Sequence, residues 1–294
     1  MIRSLLSFRS LLYVVFALAL TAVLLYVRFP AEKFKIYCEK SIERLLPGRT
    51  CSIEHIGYGF PLSAELTSIH ISRVIDGQES DMVVGQLVIS PQLPLFWRAF
   101  TLKGEMYSGH FAAELDIDRQ AGGFQLTDVH LHGFQMGDFA ERIGFGNKKI
   151  SGVFEFFGTY QGKNSNPSDG VGKGQIEIID GSMMLVQPIV ALSNIDFEKL
   201  TVTVTQQNSI IKFSDGTLQG KDLVADFSGE LRMASPLLNS SILFSGHLDP
   251  ADVFLKSHPR EQQFVQRLLQ RYKMKVLPFK LGGTVKRPLF RFST

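Results

Sequence analysis

The chain has 294 residues, 45% of them hydrophobic and 20% charged, with 24 Phe, 26 Gly, one Trp and two Cys. This is an ordinary globular composition leaning toward β structure, and two cysteines are too few for a disulfide scaffold. The formal net charge of +3 conceals segregation: residues 1–50 carry eight basic and three acidic side chains, residues 51–254 thirteen and twenty-four, and residues 255–294 ten and one.

Leu11 to Val27 is an uncharged apolar run of seventeen residues, bounded by Arg9 on one side and by Arg28 and Pro30 on the other. As a helix it rises about 26 Å, the short end of what crosses a ~30 Å hydrocarbon core, and the flanking arginines can reach the two interfaces. A cleaved signal peptide is the competing reading. The run continues through Val23-Leu24-Leu25-Tyr26-Val27, past the small residues at Ala17, Ala19 and Ala22, which favours an uncleaved anchor. Basic residues after the run outnumber those before it, which would keep the body in the cytoplasm. A hydrophobic segment so near the start acts as an export signal, however, and long domains translocate regardless of charge. The expectation is a cytoplasmic tail and anchor over residues 1–28, with an exported body.

Residues 29–49 read as an amphipathic helix. Phe34, Tyr37, Cys38, Ile42 and Leu45 recur at spacings of three and four, and Pro47-Gly48 stops the pattern. Cys38 and Cys51 lie thirteen positions apart; one disulfide clip and two buried free thiols are both compatible with the sequence.

From residue 50 onward the period is two. Strands are predicted at residues 51–56, 62–67, 82–90, 104–117, 124–132, 150–160, 175–186, 200–205, 210–213, 223–231 and 241–248. Asp76-Gly77, Ser108-Gly109, Gly122-Gly123, Asp180-Gly181 and Asp215-Gly216 read as tight turns between them. This predicts a mostly β fold: a large twisted antiparallel sheet, or a sandwich-like body, over residues 50–294. Short helices are predicted near residues 137–143 and 250–273. Gly162 to Gly174 reads as a polar loop, and its Gly-Val-Gly-Lys-Gly lacks the Ser or Thr of a phosphate loop.

No catalytic or cofactor set is present in the sequence, and the chain is read as non-enzymatic. His130 and His132 share one strand face at a spacing that can hold a metal, but no further ligand completes a set. Asp116 and Asp118 share a face likewise. Phe154, Phe156 and Phe157, Met183 to Val186, and Ile242 to Phe244 make both faces of their strands apolar; a second sheet or a lipid groove would account for this. In the C-terminal helix Phe264, Leu268 and Tyr272 form an apolar stripe, surrounded by Arg260, Arg267, Arg271, Lys273 and Lys275. Such a helix can contact an anionic membrane or an acidic partner, or dock on the acidic middle of its own chain. No nucleic-acid partner is expected.

The order of short motifs resembles the type II secretion system protein N family (GspN) of deltaproteobacterial type. The anchor is followed by Arg28-Phe29-Pro30-Ala31-Glu32, Leu46-Pro47-Gly48, Phe60-Pro61-Leu62, Ile89-Ser90-Pro91 and Leu93-Pro94-Leu95-Phe96. Lys173-Gly174-Gln175-Ile176, Gly216-Thr217-Leu218, Ser235-Pro236-Leu237, Ser240-Ser241-Ile242-Leu243 and the closing Gly283-Thr284-Val285 with Pro288 continue it. The closing pattern and the long meandering strands are also similar to AsmA-like periplasmic proteins. The resemblance implies a single-pass bacterial inner-membrane protein with its body in the periplasm. The secretion family implies an accessory role beside platform or secretin subunits. The AsmA-like likeness implies contact with phospholipid in support of the outer membrane. Neither supplies a cofactor or a catalytic residue.

Overall fold

The computed structural model describes residues 12–17, 20–21, 30–45, 48–59, 62–75, 78–95, 97–118, 120, 122–140, 150–163, 166–189, 192–234, 237–257, 259–273 and 275–292. Fourteen strands form one antiparallel sheet in which each strand pairs with the next in sequence. They are β1 (Thr50–Gly59), β2 (Ser63–Ile75), β3 (Gln78–Pro91), β4 (Ala99–Met106), β5 (Gly109–Asp118), β6 (Gly123–Gln135) and β7 (Ile150–Lys163). The second half holds β8 (Asn166–Ile189), β9 (Leu192–Gln207), β10 (Ile210–Gln219), β11 (Leu223–Arg232), β12 (Ser241–Pro250), β13 (Leu277–Gly283) and β14 (Pro288–Phe292). Helices α1 (Ala31–Leu45), α2 (Met136–Ala140), α3 (Asp252–Ser257) and α4 (Pro259–Tyr272) accompany them. The body is therefore a single sheet, and the sandwich-like alternative is set aside: every described strand belongs to one hydrogen-bonded ladder.

The differences from the expected strands have local causes. Asp180-Gly181 and Asp215-Gly216 lie inside β8 and β10, not between strands. Asp180 (φ 50°) and Asp215 (φ 54°) are left-handed, and the register of β10 shifts on both sides between Phe213 and Thr217. An aspartate tolerates that conformation, so the dipeptide makes a bulge as readily as a turn. The predicted strand 104–117 is two strands, folded at Tyr107 and Ser108, both with positive φ, as a two-residue hairpin requires. The supposed loop at Gly162 to Gly174 is mostly strand: Thr159↔Lys173, Tyr160↔Gly172 and Gln161↔Val171 pair across it. The helix predicted over 250–273 is broken into α3 and α4. Strands β13 and β14 were not expected. The Asp76-Gly77 turn, most of the apolar run at Leu11 to Val27, and residues 141–143 lie outside the described residues.

Within that run, residues 12–17 and 20–21 are helical, and Thr21 Oγ1 donates to the Ala17 carbonyl at 2.7 Å. No helix among the described residues is long and apolar enough to cross a membrane.

Two buried clusters sit at opposite ends of the sheet. In the first, Ala31, Phe34, Cys38 and Ile42 of α1 pack against Cys51, Ile53, Ile56, Leu66, Ile69 and Ile71. Pro30 precedes the helix, and its carbonyl accepts the first intrahelical bond from Phe34 N at 3.0 Å. Glu39 and Glu43, one turn apart on α1, accept hydrogen bonds from Ile53 N at 2.9 Å and Cys51 N at 3.2 Å. These amides point away from β2, so the two carboxylates occupy the open edge of the sheet and close it to pairing with another chain. In the second cluster Val265, Leu268 and Leu269 of α4 and Phe254 of α3 lie on Leu218, Leu223, Leu248 and Leu277.

Glu39→Ala and Glu43→Ala should each destabilise the protein by about 1–2 kcal/mol. The amides of Cys51 and Ile53 should exchange hydrogen faster while those of β11 and β12 keep their protection. Unchanged exchange at both amides would show that the carboxylates do not seal the edge.

Candidate functional site

Residues directly opposite in an antiparallel ladder share a face. Following these pairs from β1 traces Ile56↔Leu66↔Leu87↔Gly104↔Phe111↔Leu131↔Phe156↔Ile176↔Val202. Beyond the bulge in β10 the row resumes as Gly216↔Phe227↔Gly246↔Phe279↔Phe292. A second row runs beside it: Gly174↔Val204↔Phe213↔Gly229↔Phe244↔Leu281↔Phe290. The first row crosses all fourteen strands, about 60 Å at the usual strand spacing, without a polar side chain. Helix α1 covers it at β1–β3, and α3 and α4 cover it toward β14. From Gly104 to Ile176 it belongs to neither buried cluster, and its rings are half-buried.

Gly104, Gly174, Gly216 and Gly229 in these rows are spaces entered by rings from the neighbouring strand. A Cβ on Gly104 would stand 2.5 Å from the Phe111 ring, on Gly216 2.5 Å from Phe227, and on Gly229 2.5 Å from Phe244. Each ring occupies the space a side chain on the glycine would need. This satisfies the aromatic surface without a second layer and permits the sheet to curl toward that face.

The opposite face is polar and is laced by cross-strand ion pairs. His132 Nδ1 lies 2.8 Å from Glu155 Oε1, Lys199 Nζ 2.6 Å from Glu177 Oε1, His247 Nδ1 3.0 Å from Asp226 Oδ1, and His70 Nδ1 3.1 Å from Asp81 Oδ2. His130 is held against the Phe157 ring, centroids 4.6 Å apart. His130 and His132 line a shallow depression of about 350 Å³ with Lys103, Glu105 and His110. No group of three metal-ligating side chains occurs among the described residues. Asp116 Oδ1 pairs with Arg98 Nε at 2.6 Å, and Asp118 Oδ1 accepts from Gln120 N at 2.9 Å, so this acidic pair is occupied in local structure.

Cys38 and Cys51 come together in the α1–β1 cluster as free thiols. Burial, then the charges of Glu39 and Glu43, pushes the Cys51 thiol up to about 11; burial and Glu39 raise that of Cys38. Both are poor nucleophiles at neutral pH.

On α4 the structure divides the expected stripe. Val265 is 2% exposed and Leu268 is half-buried, but Phe264 is 47% exposed, touching Phe292 edge-on at 6.4 Å. Tyr272 closes the helix, and the position of its side chain lies outside the described residues. Arg260, Arg267, Arg271, Lys273 and Lys275 are all exposed, and none belongs to an ion pair among the described residues.

The apolar rows were missed in the sequence because glycines (Gly104, Gly174, Gly216, Gly229 and Gly246) interrupt them. Only the register brings Gly104 beneath Phe111 or Gly216 beneath Phe227; the available signal was glycine and phenylalanine alternating between successive strands. No family model, curated protein or solved structure matches this chain.

Gly104→Ala should cost about 1–3 kcal/mol in urea unfolding, because the ring above must move. Gly85→Ala, whose Cβ would meet only the Glu105 carbonyl at 3.5 Å, is the near-neutral control. For the thiols, iodoacetamide labelling of the native protein should be slow at neutral pH, rise through about pH 11, and be unaffected by reductant. The linkage follows the same sign: Cys51 stabilises the fold below the ordinary thiol value of about 8.5 and loses that contribution as pH climbs toward 11.

Proposed function

We propose that this chain is a non-enzymatic, single-pass protein of a bacterial inner membrane whose periplasmic β body binds the acyl chains of lipid along the middle of the row, from Phe111 to Ile176. The continuity of that row carries the reading. A small-molecule site would offer a few convergent polar groups to fix orientation, and the row offers none. A flexible hydrocarbon chain needs only a dry, elongated apolar surface, which Phe111, Leu131, Phe156 and Ile176 provide where no helix covers the sheet. The anchor supports the same reading. Leu12, Tyr13, Val14, Val15, Phe16 and Leu20 are all exposed, and the threonine hydroxyl in the run is satisfied by its own helix.

An accessory role in type II secretion is the second reading. It rests on the ordered motifs from Arg28 to Pro288, and the polar face with its ion pairs is where platform or secretin subunits would dock.

Phe156 and Phe157 separate the two, since they are neighbours in β7 on opposite faces, and Phe157 is 52% exposed. A photo-crosslinking residue placed at either position in the full-length protein, in living cells, should give phospholipid adducts at 156 and not at 157. Adducts with secretion subunits at 157 would support the second reading. Absence of lipid at 156 would reject the first.

A further inference from the structure

We infer that α4 is a membrane-docking element that lays Arg260, Phe264, Arg267 and Arg271 on an anionic phospholipid surface. This goes beyond acyl-chain binding and does not depend on it. The four residues are spaced by four, three and four, so at 100° per residue they form one narrow stripe about 16 Å long. The residues that fix the helix to the body, Val265, Leu268 and Leu269, centre about 120° away around the axis. The stripe therefore faces outward as a consequence of how α4 is packed.

Nothing within the chain accounts for it. Among the described residues none of the three arginines is in an ion pair, although the middle of the chain holds an excess of acidic side chains. Cations in the last turn, such as Arg271, gain from the helix dipole. Arg260, in the first turn, is opposed by it, so helix capping does not explain its presence. Phe264 keeps 47% of its surface exposed between the arginines, while Val265 beside it is buried. Guanidinium groups that pair with phosphate, alternating with a ring that enters the headgroup layer, suit a flat anionic bilayer. An acidic protein would require carboxylates matched to each arginine and would leave the ring unexplained. Lys273 and Lys275 extend the charge beyond the helix end, and the block from residue 255 onward carries ten basic side chains and one acidic.

The full-length protein is placed in nanodiscs of phosphatidylcholine, with an environment-sensitive dye at Gln263→Cys, beside the stripe. The buried native thiols stay unlabelled. Replacing part of the disc lipid with phosphatidylglycerol, or adding vesicles rich in it, should shift the dye emission to the blue; phosphatidylcholine vesicles should not. The apparent affinity should fall at least about tenfold in Arg260→Gln/Arg267→Gln/Arg271→Gln, and likewise on raising the salt. The triple lysine variant should retain binding. Phe264→Gln should weaken it while leaving the salt dependence unchanged, and unaltered melting temperatures of the variants tie these effects to the surface. Binding that survives the triple glutamine change overturns the assignment. So does silence toward every anionic membrane, with salt-sensitive binding to polyglutamate in its place.

Discussion

A sheet one layer thick must bury one face, and the helices among the described residues are too few to cover fourteen strands. That shortage governs the rest of the architecture. The fully buried side chains gather at the two ends, where α1 meets β1–β3 and where α3 and α4 meet the last strands. Between them stability comes from aromatic rings lying on glycines of the adjacent strand. A Phe on bare backbone shields its own surface and that of the peptide beneath it, in place of a facing layer. The same device leaves a half-buried apolar strip across the middle of the molecule. The stability of the uncovered strands and the apolar strip therefore have one origin, and a mutation that fills a glycine changes both.

The polar face resolves a different problem. Sequential pairing places each strand beside its neighbour in sequence, so charged side chains of adjacent strands meet directly. His132–Glu155, Lys199–Glu177, Arg98–Asp116 and His247–Asp226 each join neighbouring strands or the segment leading into them. Individually, exposed pairs of this kind contribute about 0.2–1 kcal/mol. Their more definite effect is on register, because a slip by one residue would turn every pair toward the apolar face and every ring toward water.

How much of this was legible follows from where the information lies. Alternation of period two along β1, β6 or β11 is local, and an antiparallel β body follows from it. The role of an Asp-Gly pair is not local. At Asp180 and Asp215 the strand continues through a left-handed residue because its neighbours on both sides hold it in the ladder. The stretch from Gly162 to Gly174 looked like a loop because it has almost no hydrophobic side chains. Its hydrophobic partners are Tyr160 and Phe156, which lie over Gly172 and Gly174 from the next strand. β13 and β14 were obscured for the same reason, since Gly282 and Gly283 break the pattern while Phe279 and Phe290 stack across strands at 5.5 Å. The basic residues of α4 were visible as a group. That the face they share with Phe264 is turned outward depended on the packing of Val265, which the sequence does not specify.

The two edges of the sheet are treated with opposite chemistry. At β1 two carboxylates accept the outward amides, so that edge is closed by negative groups on a helix that follows the apolar run. At the other edge β14 is short, begins with Pro288 and carries Arg291, features that discourage pairing with a further strand. Beside it stands the unpaired basic stripe of α4. Charge is therefore segregated along the order of strands: the acidic excess lies within residues 51–254 and the basic excess after them. An anionic surface repels the first and attracts the second, and the attraction is confined to one end of the apolar row. The field of the molecule thus favours contact through its β14 end, and the row on which a hydrocarbon chain would lie terminates at Phe292, in ring contact with Phe264 of the stripe.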